Sequence, residues 1–178
     1  MRFLIKNMIF LAGLFILSSA HADELDMSSE DFLDSGVLPV LYTCDGKGVS
    51  PQLSWTNAAK NAKSFALIFS DKDTKPTELY HWVLYNIPAS TTALESDLQK
   101  LPAGSATGTN SWDKTTYFSP CPPRGSIHKY VFTLYTLDQK IQLPNNKDAV
   151  AVMNAMKGHI LQTDTLTAVY SRWPVGAH

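Results

Sequence analysis

Residues 119–138 read SPCPPRGSIHKYVFTLYTLD. Pro120, Pro122 and Pro123 lack the backbone donor that a central strand needs and hold φ at about −65°, so this stretch starts as a stiff loop. After a turn at Gly125 the side chains alternate from Ile127 onward, which predicts a strand. His128, Tyr130, Phe132 and Leu134 share one face of it, and Ile127, Lys129, Val131 and Thr133 share the other. A histidine thus stands at the rim of an apolar face, beside a rigid wall.

Two more strands are legible upstream. SFALIFSD, residues 64–71, places Phe65, Leu67, Phe69 and Asp71 on one face, so the strand ends in a carboxylate. HWVLYNIP, residues 81–88, resumes after a short connection with His81, Val83, Tyr85 and Ile87 on one face and Trp82, Leu84 and Asn86 on the other. If the two pair as a hairpin, Asp71 and His81 meet at its open end, with Asp73 close behind. A last strand is predicted at about 165–172, with Leu166, Ala168 and Tyr170 on one face.

The remaining chain reads more coarsely. Residues 38–55, LPVLYTCDGKGVSPQLSW, suggest a short apolar strand and a turn around Asp45 and Gly46. The polar stretch 91–112 reads as loop, with room for a helical turn between Leu94 and Leu101. One helix is expected after Pro144, capped by Asn145 or Asn146, with Ala149, Val152, Met153 and Met156 on one face and Gly158 at its end. Dominant strands with long irregular connections predict a mainly β, antiparallel architecture with little helix.

The N-terminus has the pattern of a secretory leader. Arg2 and Lys6 precede the uncharged run 8–17, and Ala20-His21-Ala22 gives a small-x-small cleavage signal before Asp23. The apolar run is shorter than the ~20 residues that span a bilayer. The expectation is therefore a leader over 1–22, a single domain over 23–178, no membrane span once the leader is removed, and a periplasmic or secreted destination. Loss of Arg2 and Lys6 lowers Lys plus Arg from 15 to 13 against 16 Asp plus Glu, a formal charge of −3. No basic cluster is present, which argues against nucleic-acid binding. Cys44 and Cys121, in an oxidising compartment, either form a disulfide or remain as two thiols; spacing alone does not decide.

Three separated segments thus bring polar groups to strand ends, and together they carry a family resemblance. YTCDGKGVSPQLSW at 42–55, DKD at 71–73 followed by HWVLYNIP, SPCPPRGSIHKYVFTLYTLD, and more weakly GHILQTDTLTAVYSR at 158–172 resemble the phosphatidylethanolamine-binding protein family, in its bacterial Raf-kinase-inhibitor-like branch. The resemblance implies a large central antiparallel sheet with a smaller sheet packed on it, short peripheral helices, and a small pocket for phosphate-type anions, including phospholipid headgroups. On its pattern Asp71 and Asp73 match the paired aspartates, His81 the histidine before tryptophan, and His128 and Tyr130 the histidine and tyrosine of the later strand. Ser119 and Pro120 match a Gly-Pro wall.

Three residues depart from that pattern: Ser119 stands for glycine, Lys75 for proline with Pro76 one residue late, and Lys129 for arginine. The first two alter the shape and charge beside the pocket.

Two aspartates in an anion pocket oppose its ligand unless a carboxylate orients an imidazole and favours its charged form, or an ammonium group on a zwitterionic headgroup is attracted to Asp73. The expectation is a binding protein, not an enzyme, with no required cofactor. Inhibition of a protease or kinase through protein contact is the main alternative. Weaker ones are a metal held by two histidines and a carboxylate, or a hydrolase using Ser50 or Ser119. The sequence lacks the compact metal-ligand spacing and the G-x-S-x-G turn that those chemistries favour.

Overall fold

The computed structural model describes residues 24–144 and 146–173; the leader expected over 1–22 lies outside them. Along the chain come β1 (Asp26–Ser28), β2 (Gly36–Val37), a 3-10 turn (Val40–Tyr42), β3 (Leu53–Thr56), β4 (Ser64–Asp71), β5 (Leu79–Pro88), β6 (Ala93–Leu94), β7 (Ala106–Thr107), β8 (Ile127–Leu137), α1 (Ala149–Met156) and β9 (Ile160–Ser171). The large sheet runs β2-β9-β8-β4-β5-β7 and the small one β1-β3-β6. The β2–β9 pair is parallel and the other strand pairs are antiparallel. The expected mainly β fold, a large sheet with a smaller one packed on it, is what forms.

Three layers result. Met27, Leu53, Trp55 and Leu94 of the small sheet pack with Phe65, Leu67, Phe69, Leu84, Phe132 and Leu166 of the large one. On the opposite face Ala66, Ile68, Val83 and Tyr85 pack against Ala149, Val152 and Met156 of α1. β4 lies between β5 and β8 and is covered on both sides, so all eight of its residues are buried. Phe69 is at the centre, stacked on Phe132 with ring centroids 3.9 Å apart and on Tyr117 at 5.5 Å.

Several local expectations change. The apolar start at Leu38–Tyr42 is not a strand: Tyr42 N–H donates to Pro39 O and Thr43 N–H to Val40 O, which winds it into a 3-10 turn. No helix forms at 94–101, because the amides of Asp97 and Leu98 donate to the carbonyl and the hydroxyl of Ser50. The last strand begins at Ile160, five residues earlier than expected, since β8 supplies a partner along its whole length. Asp148 caps α1, its side chain accepting from Ala151 N–H at 2.7 Å. Asn146 instead takes a left-handed conformation before that cap, and Asn145 lies outside the described residues. Gly158 does end the helix with a positive φ of 81°.

The two faces of β5 are also not simply alternate. Phe65 opposes Ile87 while Leu67 opposes Leu84, so the strand carries an extra residue there. Asn86 absorbs it at φ 56°, a conformation asparagine tolerates, and its side chain grips Ile141 by two hydrogen bonds to the backbone. Ile87 is thereby moved to the Trp82 and Leu84 side of the sheet.

Because Phe69 is fully buried and contacts rings from two other segments, Phe69→Ala is expected to cost about 3–5 kcal/mol in urea unfolding. Val150→Ala, on the exposed face of α1, should stay within about 0.5 kcal/mol of the parent. Equal effects would show that the Phe69 stack is not the centre of the core.

Candidate functional site

The ends of β4, β5 and β8 meet at one edge of the large sheet. Asp71, the last residue of β4, opposes Tyr130 of β8 and Leu79 of β5. It is buried, and both its oxygens are engaged: Oδ2 accepts from His128 Nδ1 at 2.6 Å and Oδ1 from Asp73 N–H at 2.9 Å. The carboxylate thus orients one imidazole and closes the first turn of its own loop. Asp73 is exposed and stands among the residues lining the cavity described below, with its Oδ2 accepting from Lys129 N–H at 2.6 Å.

His81 reaches this site through a second bulge. Phe69 opposes Trp82 and Ser70 opposes Tyr80, which leaves His81 as the extra residue. Strict alternation would put it with Val83 and Tyr85; the bulge turns it to the Phe69 side, where its ring lies 5.4 Å from Phe69 and 5.5 Å from Tyr130. The expected meeting of Asp71 and His81 therefore occurs within one cavity but without a hydrogen bond between them. The ring of His81 is held by Phe118 instead: Nδ1 donates to Phe118 O at 2.8 Å, and Phe118 N–H returns a bond to His81 O at 3.0 Å. Burial lowers the proton affinity of this imidazole below the usual range, against smaller raising effects of the Phe118 carbonyl and the Asp71 charge. Tyr130 is fully buried, and burial followed by the negative charge of Asp71 pushes its phenol well above its ordinary range. His81 Nε2 has no hydrogen-bond partner among the described residues; the Tyr130 hydroxyl makes no bond of full geometry but interacts with the Asp71 carboxylate.

These groups line a cavity of about 470 Å³. Leu79, Trp112, Phe118, Pro122 and Pro123 give it apolar walls, and Lys75 stands exposed at its mouth. Trp112 stacks on Phe118 at 3.9 Å and meets the edge of His81 at 4.9 Å. Neither aromatic residue was a sequence candidate. A tryptophan inside an otherwise polar loop is the available signal for Trp112, whereas nothing local marks Phe118, which meets His81 through both its ring and its backbone.

The proline-rich wall is tied from behind. Cys44 and Cys121 form a disulfide with Cα atoms 5.4 Å apart. Cys121 lines the cavity, and Arg172 donates to its Sγ while holding Asp45 in a salt bridge at 2.8 Å. Ser119 also lines the cavity; an added Cβ on Gly48 would lie 3.2 Å from its side chain, so glycine at 48 gives this serine room. Pro120 does not line the cavity. It is buried behind it, its carbonyl accepting from Cys44 N–H at 3.0 Å. Ser50 lines a different cavity with Trp82 and Tyr117, away from both histidines. Among the described residues no three His, Cys, Asp or Glu side chains converge to hold a metal ion, and no helix is long and apolar enough to cross a membrane.

The family model described as phosphatidylethanolamine-binding protein matches residues 28–171, from β1 to the end of β9. The chain belongs to the phosphatidylethanolamine-binding protein family. Its relatives include a UPF0098 protein of Methanothermobacter thermautotrophicus, 40% identical over 83% of this chain and 99% of that protein. A Mycobacterium tuberculosis protein named as lipoprotein LppC is 35% identical over 76% of this chain and 66% of its own length. Among solved structures, the family homolog CT736 of Chlamydia trachomatis and YbcL of E. coli each superpose with a TM-score of 0.78 at 29% identity. Both cover 84% of this chain, with 98% of CT736 and 99% of YbcL matched.

The state of His81 has a consequence for stability. Its imidazole is harder to protonate when folded, so as pH falls through about 6.5 the unfolded chain takes up that proton first. The contribution of His81 to stability is present above that range and is lost below it. Urea midpoints at pH 5, 6 and 7 are expected to rise with pH, and His81→Gln should flatten the rise. An unchanged slope in the variant would show that His81 is not held neutral.

Proposed function

We propose that this member of the phosphatidylethanolamine-binding protein family is an exported binding protein whose cavity takes phosphate-type anions, including phospholipid headgroups, and that it acts without catalysis or a required cofactor. The observation that carries the reading is the Asp71–His128 pair at the cavity floor. With Nδ1 committed to Asp71, protonation of His128 adds its charge and its new donor on the other ring nitrogen. Lys75 adds a cation at the mouth, and the apolar walls suit the carbon portion of a headgroup or acyl chain.

Binding rather than turnover is supported by how the polar groups are spent. Both oxygens of Asp71 are bonded within the protein, and among the described residues no hydroxyl or thiol is hydrogen-bonded to His128 as an activated nucleophile would be. Export is supported by the leader-like segment 1–22, by the Cys44–Cys121 disulfide and by a lipoprotein-named relative.

Calorimetric and thermal-shift titrations with inorganic phosphate, phosphoethanolamine and short-chain phosphatidylethanolamine test this reading. Saturable binding is expected, weakened about tenfold or more in His128→Ala and indifferent to chelator. Binding that is unchanged in His128→Ala, or lost on chelation, would overturn it.

A further inference from the structure

The two buried polar atoms at the cavity floor, His81 Nε2 and the Tyr130 hydroxyl, are not equivalent. A carbonyl oxygen can only accept, so the 2.8 Å contact between His81 Nδ1 and Phe118 O places the ring proton on Nδ1. The return bond from Phe118 N–H to His81 O and the contact of Asn110 Nδ2 with the same carbonyl fix the backbone on which the ring turns. Rotating the ring would set a carbon against the Phe118 carbonyl. Nε2 of the neutral ring is therefore a lone pair, 2% exposed as part of its residue, with no donor from the protein.

The groups around it do not supply one. From β4 comes Asp71, an acceptor whose oxygens are already occupied. From β8 come His128, committed through Nδ1 to Asp71, and Tyr130, whose hydroxyl makes no hydrogen bond with His81. From the loop 112–118 come the rings of Trp112 and Phe118, which meet His81 by ring faces and edges. Lys75 is at the exposed mouth. Leaving a buried acceptor unpaired is costly, and an occupant that brings only acceptors makes it worse.

Resting on the anion-pocket reading above, we infer that the cavity selects an occupant that carries a hydrogen-bond donor beside its negative charge, delivered to His81 Nε2. A phosphate monoester or inorganic phosphate that retains one proton offers P–OH. A phosphodiester offers no such donor unless an ammonium group on its other arm supplies it, and sulfate offers none near neutral pH. The site thus discriminates by donor count, which shape and charge alone do not achieve.

The experiment is calorimetry at about pH 6, where phosphate monoesters are about half protonated, with five probes: inorganic phosphate, methyl phosphate, dimethyl phosphate, sulfate and glycerophosphoethanolamine. Dimethyl phosphate is the decisive comparison, since it keeps one negative charge and lacks a donor. Phosphate or methyl phosphate is expected to bind at least about tenfold more tightly than dimethyl phosphate and sulfate. If glycerophosphoethanolamine binds as tightly as the monoester, the ammonium is the donor; if it follows dimethyl phosphate, P–OH is. In His81→Gln, whose amide can donate, the gap between monoester and diester should close. Long-range ¹H–¹⁵N spectra of the unsubstituted protein give a second readout, with His81 expected to keep its proton on Nδ1 in the free and bound forms. Equal affinity for dimethyl phosphate and phosphate, or a protonated Nε2 in the complex, would overturn the donor requirement. Failure of all five probes to bind would overturn the anion-pocket reading beneath it.

Discussion

The pairing of β4 with β5 on one side and β8 on the other is the constraint on which the rest of this structure depends. A strand hydrogen-bonded along both edges and covered on both faces has little freedom to slide, because a one-residue slip would exchange its two buried sets of side chains. Phe65, Leu67 and Phe69 face the small sheet while Ala66 and Ile68 face α1. The carboxylate at the end of this strand is consequently held to a definite place. Asp71 stands opposite Tyr130, two residues from His128 on the same face of β8, and so it meets that imidazole at hydrogen-bond distance.

His81 is set by a different device. A regular β5 would send it into the helix-covered face, where an imidazole would need partners among Val83, Tyr85 and the apolar side of α1. The extra residue between Tyr80 and Trp82 turns it toward Phe69 and Tyr130 instead, and the loop at Phe118 takes its Nδ1 proton. The two histidines of the cavity are thereby given unlike chemistry. One is hydrogen-bonded to a carboxylate; the other is bonded to a carbonyl, buried and disfavoured as a cation.

The wall opposite these strands has little regular structure of its own, and its position comes from cross-links. The Cys44–Cys121 disulfide, the Cys44 amide on Pro120 and the Asp45–Arg172 salt bridge join the loop after the 3-10 turn, the proline-rich segment and the end of β9. Pro122 and Pro123 can face the cavity as rigid apolar groups because Pro120, behind them, is anchored. Gly48 completes the fit by leaving space for the side chain of Ser119.

The sequence by itself determined the strands whose alternation is uninterrupted, the apolar side of α1 and the identity of the polar residues at the strand ends, because these follow from side-chain period and residue type; its ordered motifs carried the family. Their strands and faces also place Asp71, His128 and Tyr130 near one edge of the sheet, while their sharing one pocket entered as what the family resemblance implies. Only the tertiary structure decided the orientation of His81, the cap at Asp148, the removal of Pro120 from the lining, the disulfide, and the entry of Trp112 and Phe118. Each of those depends on a bulge, a competing hydrogen-bond donor or a contact between distant segments. Local periodicity carries no record of such events, for they exist only once the sheets have paired and the loops have closed over them.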